Sequence, residues 1–244
     1  MRLTRVFVEQ ALAPGMEVQL PAEAAAHLTR VLRLREGEAC VLFNGDGQDW
    51  HARLLALDRR GATVQVERAE AVGNESPLRI VLLQGIARGE KMDLVLQKAT
   101  ELGVAALVPV ESERSEVRLA GERLDKRVAH WRGVVIAACG QSGRALVPPL
   151  ASPQTLQAAC ADLPAGALRL LLDPHGAQRL STLQAPASMQ AVVAIGPEGG
   201  WSPRDRDILL RHGFSGLRLG PRVLRTETAG LAAIAALQAR LGDL

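Results

Sequence analysis

Ile195–Ser202 reads IGPEGGWS, and Leu219–Gly230 reads LGPRVLRTETAG. Each Gly-Pro directly follows an apolar run, AVVAI before the first and FSGLRL before the second. Proline fixes its own φ and lacks a backbone donor, so each pair ends a strand in a stiff turn. After the first turn Ser202 is placed to cap a helix, with Pro203 at its first position, Asp205 completing a capping box and Gly213 stopping it. The FSGLRL strand comes next, and TETAGLAAIAALQARL forms a last, Ala-rich helix. Strands alternating with helices imply a parallel sheet.

The alternation extends back to Leu78. LRIVLLQ reads as a buried strand, EKMDLVLQKATELG as an amphipathic helix ended by Gly103, and VAALVPV as a strand. ERLDKRVAHWRGVVIAACGQ is a long helix, LQAACADL a short one, and ALRLLL and MQAVVAI are strands. The fold class of this half is α/β, a parallel sheet covered on both faces. Residues 1–72 read differently. RVFV, MEVQL, EACVLF, DWHARLLAL and ATVQVERA are short strands, NGDG at Asn44–Gly47 is a hairpin turn, and PAEAAAHLTRVLRL is a helix. That pattern predicts a small β-barrel. GNESP, Gly73–Pro77, reads as a linker, so the expected domains are 1–72 and 73–244.

Composition narrows the function classes. Of 244 residues 48% are apolar, enough for a sizeable core. No apolar run approaches the ~20 residues of a membrane span, and MRLTRVFVEQ lacks the apolar core of a secretory signal. A cytoplasmic protein away from membranes is the expectation. Cys40, Cys139 and Cys160 are too widely spaced for a zinc site or a disulfide framework, and the five histidines form no H-x-x-x-H pattern, so no metal is expected. The net charge of +3 permits a nucleic-acid partner without demanding one. Residues 1–72 hold 9 arginines against 10 acidic residues, which leaves the basic excess in the α/β half. Aromatics are only 2%, too few for a base-stacking platform on a sheet.

Ligands of open α/β sheets bind beyond the carboxyl ends of the strands. Three bends lie at such ends, the two Gly-Pro turns and LLLDPHG, Leu170–Gly176. Pro197 and Pro221 remove donors that a phosphate cradle would need. Neither G-x-x-x-x-G-K-[ST] nor a helix-opening G-x-G-x-x-G is present. A tight, Gly-lined pocket with few charges suits an adenosine-like ligand without phosphates.

These residues carry a resemblance. IGPEGGWS with LGPRVLRTETAG resembles the paired signature of the RsmE family of ribosomal RNA uracil-N3 methyltransferases, in the SPOUT superfamily. HLTRVLRLREGE (His27–Glu38), EKMDLVLQKATELGV (Glu90–Val104), SERSEV (Ser112–Val117) and GQSGRALVP (Gly140–Pro148) extend it over nearly the whole chain. One departure is Gly140, where family members often have Glu. The resemblance implies a PUA-like barrel at 1–72, a SPOUT methyltransferase domain with a C-terminal trefoil knot at 73–244, and a homodimer. It implies S-adenosylmethionine bent into the knot, held by Leu172 and Asp173, by Ile195, Gly196, Pro197, Glu198, Gly199 and Gly200, and by Leu219, Gly220, Arg222, Val223, Leu224 and Thr226. The implied acceptor is N3 of uridine 1498 of 16S rRNA, in naked RNA or the small ribosomal subunit.

Uracil N3 carries a proton at neutral pH and becomes nucleophilic only when that proton leaves. A fixed positive group near O2 or O4 favours the anion. Arg225 is the candidate for that role, and Glu198, with Glu227 second, for the proton acceptor. Thr226 and Thr228 read as caps of the last helix. Arg30 and Arg33, which share a helix face, are candidates for RNA contact, with Arg88, Lys91, Arg114 and Arg144. Two other readings stay open: a SPOUT enzyme acting on a ribose 2′-hydroxyl, and a non-catalytic RNA-binding assembly factor.

Overall fold

The structure, a computed structural model, describes residues 3–20, 25, 34–58 and 61–244. Contacts divide it into two units. One runs through Glu75 and takes in Cys139–Val147; the other comprises Ser76–Ala138 and Pro148–Leu244.

The first unit is a mixed sheet of β1 (Arg5–Phe7), β2 (Glu17–Leu20), β3 (Ala39–Phe43), β4 (Gln48–Asp58) and β5 (Gly61–Ala71). Its order is β1-β3-β4-β5-β2, with β1 parallel to β3 and the remaining pairs antiparallel. Register shifts at His51/Ala52 and Leu54/Ala56 bend the long β4–β5 ribbon. The ribbon curls around a core that includes Val18, Leu42, Ala52 and Val64. Among the described residues β1 and β2 remain edges, so the barrel expected from the strand count is an open half-barrel. The helix expected from Pro21 to Leu34 falls almost wholly outside the described residues, and with it Arg30 and Arg33.

Cys139–Val147 belongs to this first unit through charge as well as packing. Arg144 is only 4% exposed, and its guanidinium forks onto Glu75, Nε to Oε1 at 2.9 Å and Nη2 to Oε2 at 2.5 Å. Arg5, paired with Asp49, donates to the Arg144 carbonyl at 3.0 Å. This burial corrects the reading of Arg144 as an RNA contact: its charge is compensated inside the unit.

The second unit holds β6 (Arg79–Gly85), α1 (Glu90–Glu101), β7 (Ala106–Glu111), α2 (Gly121–Ser142, whose residues from Cys139 on belong to the first unit), β8 (Gln154–Thr155), α3 (Leu156–Ala161) and β9 (Leu168–Leu172). It continues with β10 (Gln178–Arg179), β11 (Gln190–Ile195), α4 (Pro203–Arg211), β12 (Ser215–Arg218) and α5 (Thr226–Leu241). All seven strands are parallel, in the order β10-β12-β9-β11-β6-β7-β8. Burial of both faces explains the unbroken apolar run of β11. Val192 and Ala194 join a cluster with Leu156 of α3 and Leu209 of α4. Ile195, on the opposite face by the two-residue period, lies beneath Gly230 of α5. The capping box of α4 forms as the sequence implies: Asp205 N–H donates to Ser202 Oγ at 3.0 Å and Ser202 N–H to Asp205 Oδ2 at 3.1 Å. The two-residue strands β8 and β10 were not expected, being too short to show a period.

Close approach fixes Gly85. A Cβ on Gly85, at the end of β6, would stand 2.6 Å from the backbone nitrogen and Cδ of Pro197. Gly85→Ala must therefore push the Pro197 bend away, a misfit of about 1–3 kcal/mol. Thermal unfolding should show a melting temperature lower by several degrees; an unchanged midpoint would contradict this packing.

Candidate active site

The order β12-β9-β11 sets three strands side by side, and because they are parallel their carboxyl ends share one edge of the sheet. The bends after Leu172, Ile195 and Arg218 are neighbours for that reason. A Cβ on Gly216 would come 2.9 Å from Gly176 Cα, so the bend after β9 rests directly on β12. The second bend closes on itself: Gly200, at φ +66°, donates its N–H to the Pro197 carbonyl at 2.8 Å. Thr226 then joins the parts. Its hydroxyl donates to the Gly196 carbonyl at 2.5 Å and accepts from Gln84 Nε2 at 3.0 Å. Thr226 is thus a bridge between bends; the N-cap position of α5 is Arg225, without a side-chain cap.

The bends enclose a cavity of about 560 Å³, the size of a small-molecule site. Leu172 and Asp173 line it from the first bend, and Ile195, Gly196, Pro197, Glu198 and Gly200 from the second. Leu219, Gly220, Arg222, Val223, Leu224, Arg225 and Thr226 complete it from the third. Gly199 is absent from the lining; it faces Arg114, whose Nη1 donates to its carbonyl at 3.0 Å. Sequence reasoning did not place Pro174, His175, Trp201, Arg206, Leu217 or Ala229 at the cavity, although all line it. Trp201 carried a signal, since it directly follows the second Gly-rich bend. Arg206 carried none, because its position depends on how α4 packs.

Charge in the cavity is divided. Asp173 is 7% exposed and accepts from Arg206 Nη2 at 2.7 Å and from the His175 N–H at 3.0 Å. The Arg206 hydrogen bond, opposed by burial and helped by the His175 N–H, holds its carboxyl below the usual carboxylate range. Burial pushes the Glu198 carboxyl up, but bonds from its own backbone N–H, the Arg88 N–H and the Lys91 ammonium outweigh it and leave the pKa lowered. Arg225 is exposed and its guanidinium has no hydrogen bond or ion pair among the described residues. Two buried polar atoms of lining residues also have no partner there, Glu227 Oε2 and Trp201 Nε1. Burial pushes the thiols of Cys40, Cys139 and Cys160 up to about 11, so none is a ready nucleophile at neutral pH. Among the described residues no side-chain cluster could hold a metal ion, and no helix is long and apolar enough to cross a membrane.

The residues expected at RNA divide by placement. Lys91 reaches the cavity itself and pairs with Glu198 at 3.1 Å. Arg88 pairs with Glu116 through its side chain and donates its backbone N–H to Glu198 at 3.1 Å. With Arg114 on Gly199, these three brace the Pro197–Gly200 turn.

Residues 74–238 match the RNA methyltransferase domain family, and residues 20–67 match the RNA methyltransferase PUA domain. A ribosomal RNA small subunit methyltransferase E of Buchnera aphidicola is 30% identical over 244 residues, covering 100% of this chain and 98% of that protein. The chain belongs to the ribosomal RNA small subunit methyltransferase E family. The family member from Mycobacterium tuberculosis is 31% identical over 235 residues, 95% of this chain and 89% of that protein. Solved structures agree. A crystal structure of the family member from Neisseria gonorrhoeae, bound to S-adenosyl methionine, has a TM-score of 0.93 at 41% identity and covers 99% of each chain. A protein from Legionella pneumophila in complex with the same cofactor has a TM-score of 0.94 at 37% identity and covers 100% of each chain.

Two predictions follow from the geometry. Thr226→Val should strand the Gly196 carbonyl and leave Gln84 Nε2 with only the Gly85 carbonyl at 2.9 Å, costing about 1–3 kcal/mol in denaturant unfolding, while Thr226→Ser should keep most of that stability. Equal stability of the Val variant would remove the bridge from the account. Second, the depressed Asp173 carboxyl stabilises the fold above the ordinary carboxylate range, and that stability disappears as pH falls through its lowered pKa. Asp173→Asn should therefore flatten the acid limb of stability against pH; an unaltered slope would contradict the Arg206 pairing.

Proposed function

We propose that the chain transfers the methyl group of S-adenosylmethionine to N3 of a uridine in small-subunit ribosomal RNA, position 1498 of 16S rRNA. The observation that carries this reading is the single cavity formed by three strand-end bends, with Arg225 and Glu227 flanking the Thr226 bridge on one wall. The residues fit an adenosine-like donor. The cavity has the right size, Gly and Pro backbone lines much of it, and the unpartnered Trp201 Nε1 offers a buried donor. When bound, S-adenosylmethionine supplies an already activated methyl group. The chain's task is then alignment, exclusion of water and activation of the acceptor.

The Arg225 guanidinium, free of any acidic partner among the described residues, stabilises negative charge on O2 or O4 as N3 loses its proton. The proton acceptor is Glu227. Glu198 is the poorer acceptor, because three donors already occupy its carboxylate and lower its pKa, whereas no hydrogen bond or ion pair engages the Glu227 side chain among the described residues. Glu198 instead holds its bend onto Arg88 and Lys91 at the start of α1. The half-barrel unit, with Arg30 and Arg33, holds the RNA in this reading. A homodimer and a knotted C-terminal region complete the proposal.

The test is transfer of labelled methyl to small-subunit RNA, or to subunits lacking the mark, followed by mapping of the methylated atom. Label on a ribose 2′-oxygen would favour the alternative SPOUT chemistry, and no transfer with any substrate would defeat the enzyme reading. Arg225→Ala should lower kcat about 10²–10³-fold with little change in donor affinity. Glu227→Gln should lower kcat at least about 10²-fold, and Glu198→Gln should act mainly on donor binding. The reverse pattern would return the proton-accepting role to Glu198.

A further inference from the structure

At the edge of the seven-stranded sheet, β10 runs parallel to β12 with Arg179 in register with Arg218. Like charges on directly opposed strand positions are destabilising. Neither guanidinium has a hydrogen bond or ion pair among the described residues. Both line a second hollow, of about 680 Å³, together with Arg222. Arg222 is likewise without such a partner, and among the described residues no Asp or Glu lines this hollow. The neighbouring Arg240 is different. It donates to the carbonyls of Ser181 at 3.0 Å and Leu183 at 3.2 Å, which fixes the turn beside the hollow.

The hollow is continuous with the active-site wall. Leu219, Gly220, Arg222 and Leu224 line both openings. Beside Ser181, its remaining surface is apolar, with Leu180, Pro221, Ala232 and Ala236. Among the described residues these three guanidiniums have no acidic partner, and they share the hollow with this largely apolar surface. A guanidinium presents a planar fork of donors that matches phosphate oxygens. Two of the three stand on paired strands, so their spacing is set by the sheet. A chain of phosphates separated by sugars matches this alternation of charge and apolar surface better than an isolated anion does.

We propose that this hollow is a phosphate groove for the sugar–phosphate backbone of the RNA strand adjoining the nucleotide in the active site. Arg179 and Arg218 grip consecutive stretches of backbone, and Arg222 stands where the groove meets the donor cavity. The proposal rests on the RNA methyltransferase reading above.

The test uses the full chain with Arg179→Ala and Arg218→Ala combined. Fluorescence anisotropy with a short single-stranded RNA of mixed sequence is measured across a salt series. Calorimetry with S-adenosylmethionine is run in parallel. RNA affinity should fall at least about tenfold while donor affinity stays constant. The slope of log K against log salt should become shallower by roughly 1.4, at about 0.7 for each lost phosphate contact on a single strand. Arg179→Lys with Arg218→Lys should restore the slope. An unchanged affinity and slope would overturn the groove. So would conversion of the Ala variant from dimer to monomer in light scattering, since the hollow would then be a contact between copies. Methyl transfer by the unsubstituted protein is measured alongside: its absence defeats the functional reading, whereas an active protein with an insensitive salt slope defeats only the groove.

Discussion

One hydroxyl group holds the site together. Thr226 Oγ1 gives its proton to the Gly196 carbonyl and takes one from Gln84 Nε2, so the end of β6, the bend after β11 and the first turn of α5 share one anchor. The Gln84 side chain is itself 1% exposed; without Thr226 its Nε2 keeps only the Gly85 carbonyl, and a buried polar group that loses a partner costs free energy on the order of a full hydrogen bond. Because Arg225 and Glu227 are the immediate neighbours of Thr226, the anchor that joins the bends also aims both side chains at the cavity.

Stiffness complements this anchor. Pro197 and Pro221 limit what their bends can do, and Gly85 gives up its side chain so that the Pro197 ring can sit against β6. Electrostatics then separates two kinds of charge. Glu198, Lys91, Arg88 and Arg114 are consumed in bracing the Pro197–Gly200 turn. Arg225, Arg222, Arg218 and Arg179 have no acidic partner among the described residues. The first set is engaged within the protein, on Glu116, Glu198 and the Gly199 carbonyl, and the second is left to act on something brought from outside.

Much of this was legible in the sequence, and the reasons differ by element. The Gly-Pro turns mark strand ends because proline chemistry is local, and Ser202 with Asp205 marks the α4 start because a capping box is contained in four residues. The parallel sheet followed from alternation of strands and helices. The half-barrel was read as closed because local pattern does not show whether β1 and β2 meet. Arg144 was read as surface because its partner, Glu75, is distant in sequence. Thr226 was read as a cap because its two partners, Gln84 and Gly196, come from different strand ends and meet it only in three dimensions. The pairing of Arg179 with Arg218 was invisible for the same reason, since β10 is two residues long.

The central claim is that the three bends behave as one binding unit. Amide hydrogen exchange, measured by mass spectrometry with and without S-adenosylmethionine, tests it most directly. The account predicts that peptides covering Leu172–Gly176, Ile195–Ser202 and Leu219–Thr226 gain protection together, and that Thr226→Val uncouples the second from the third. Protection confined to one bend, with the other two unaffected by saturating donor, would contradict it.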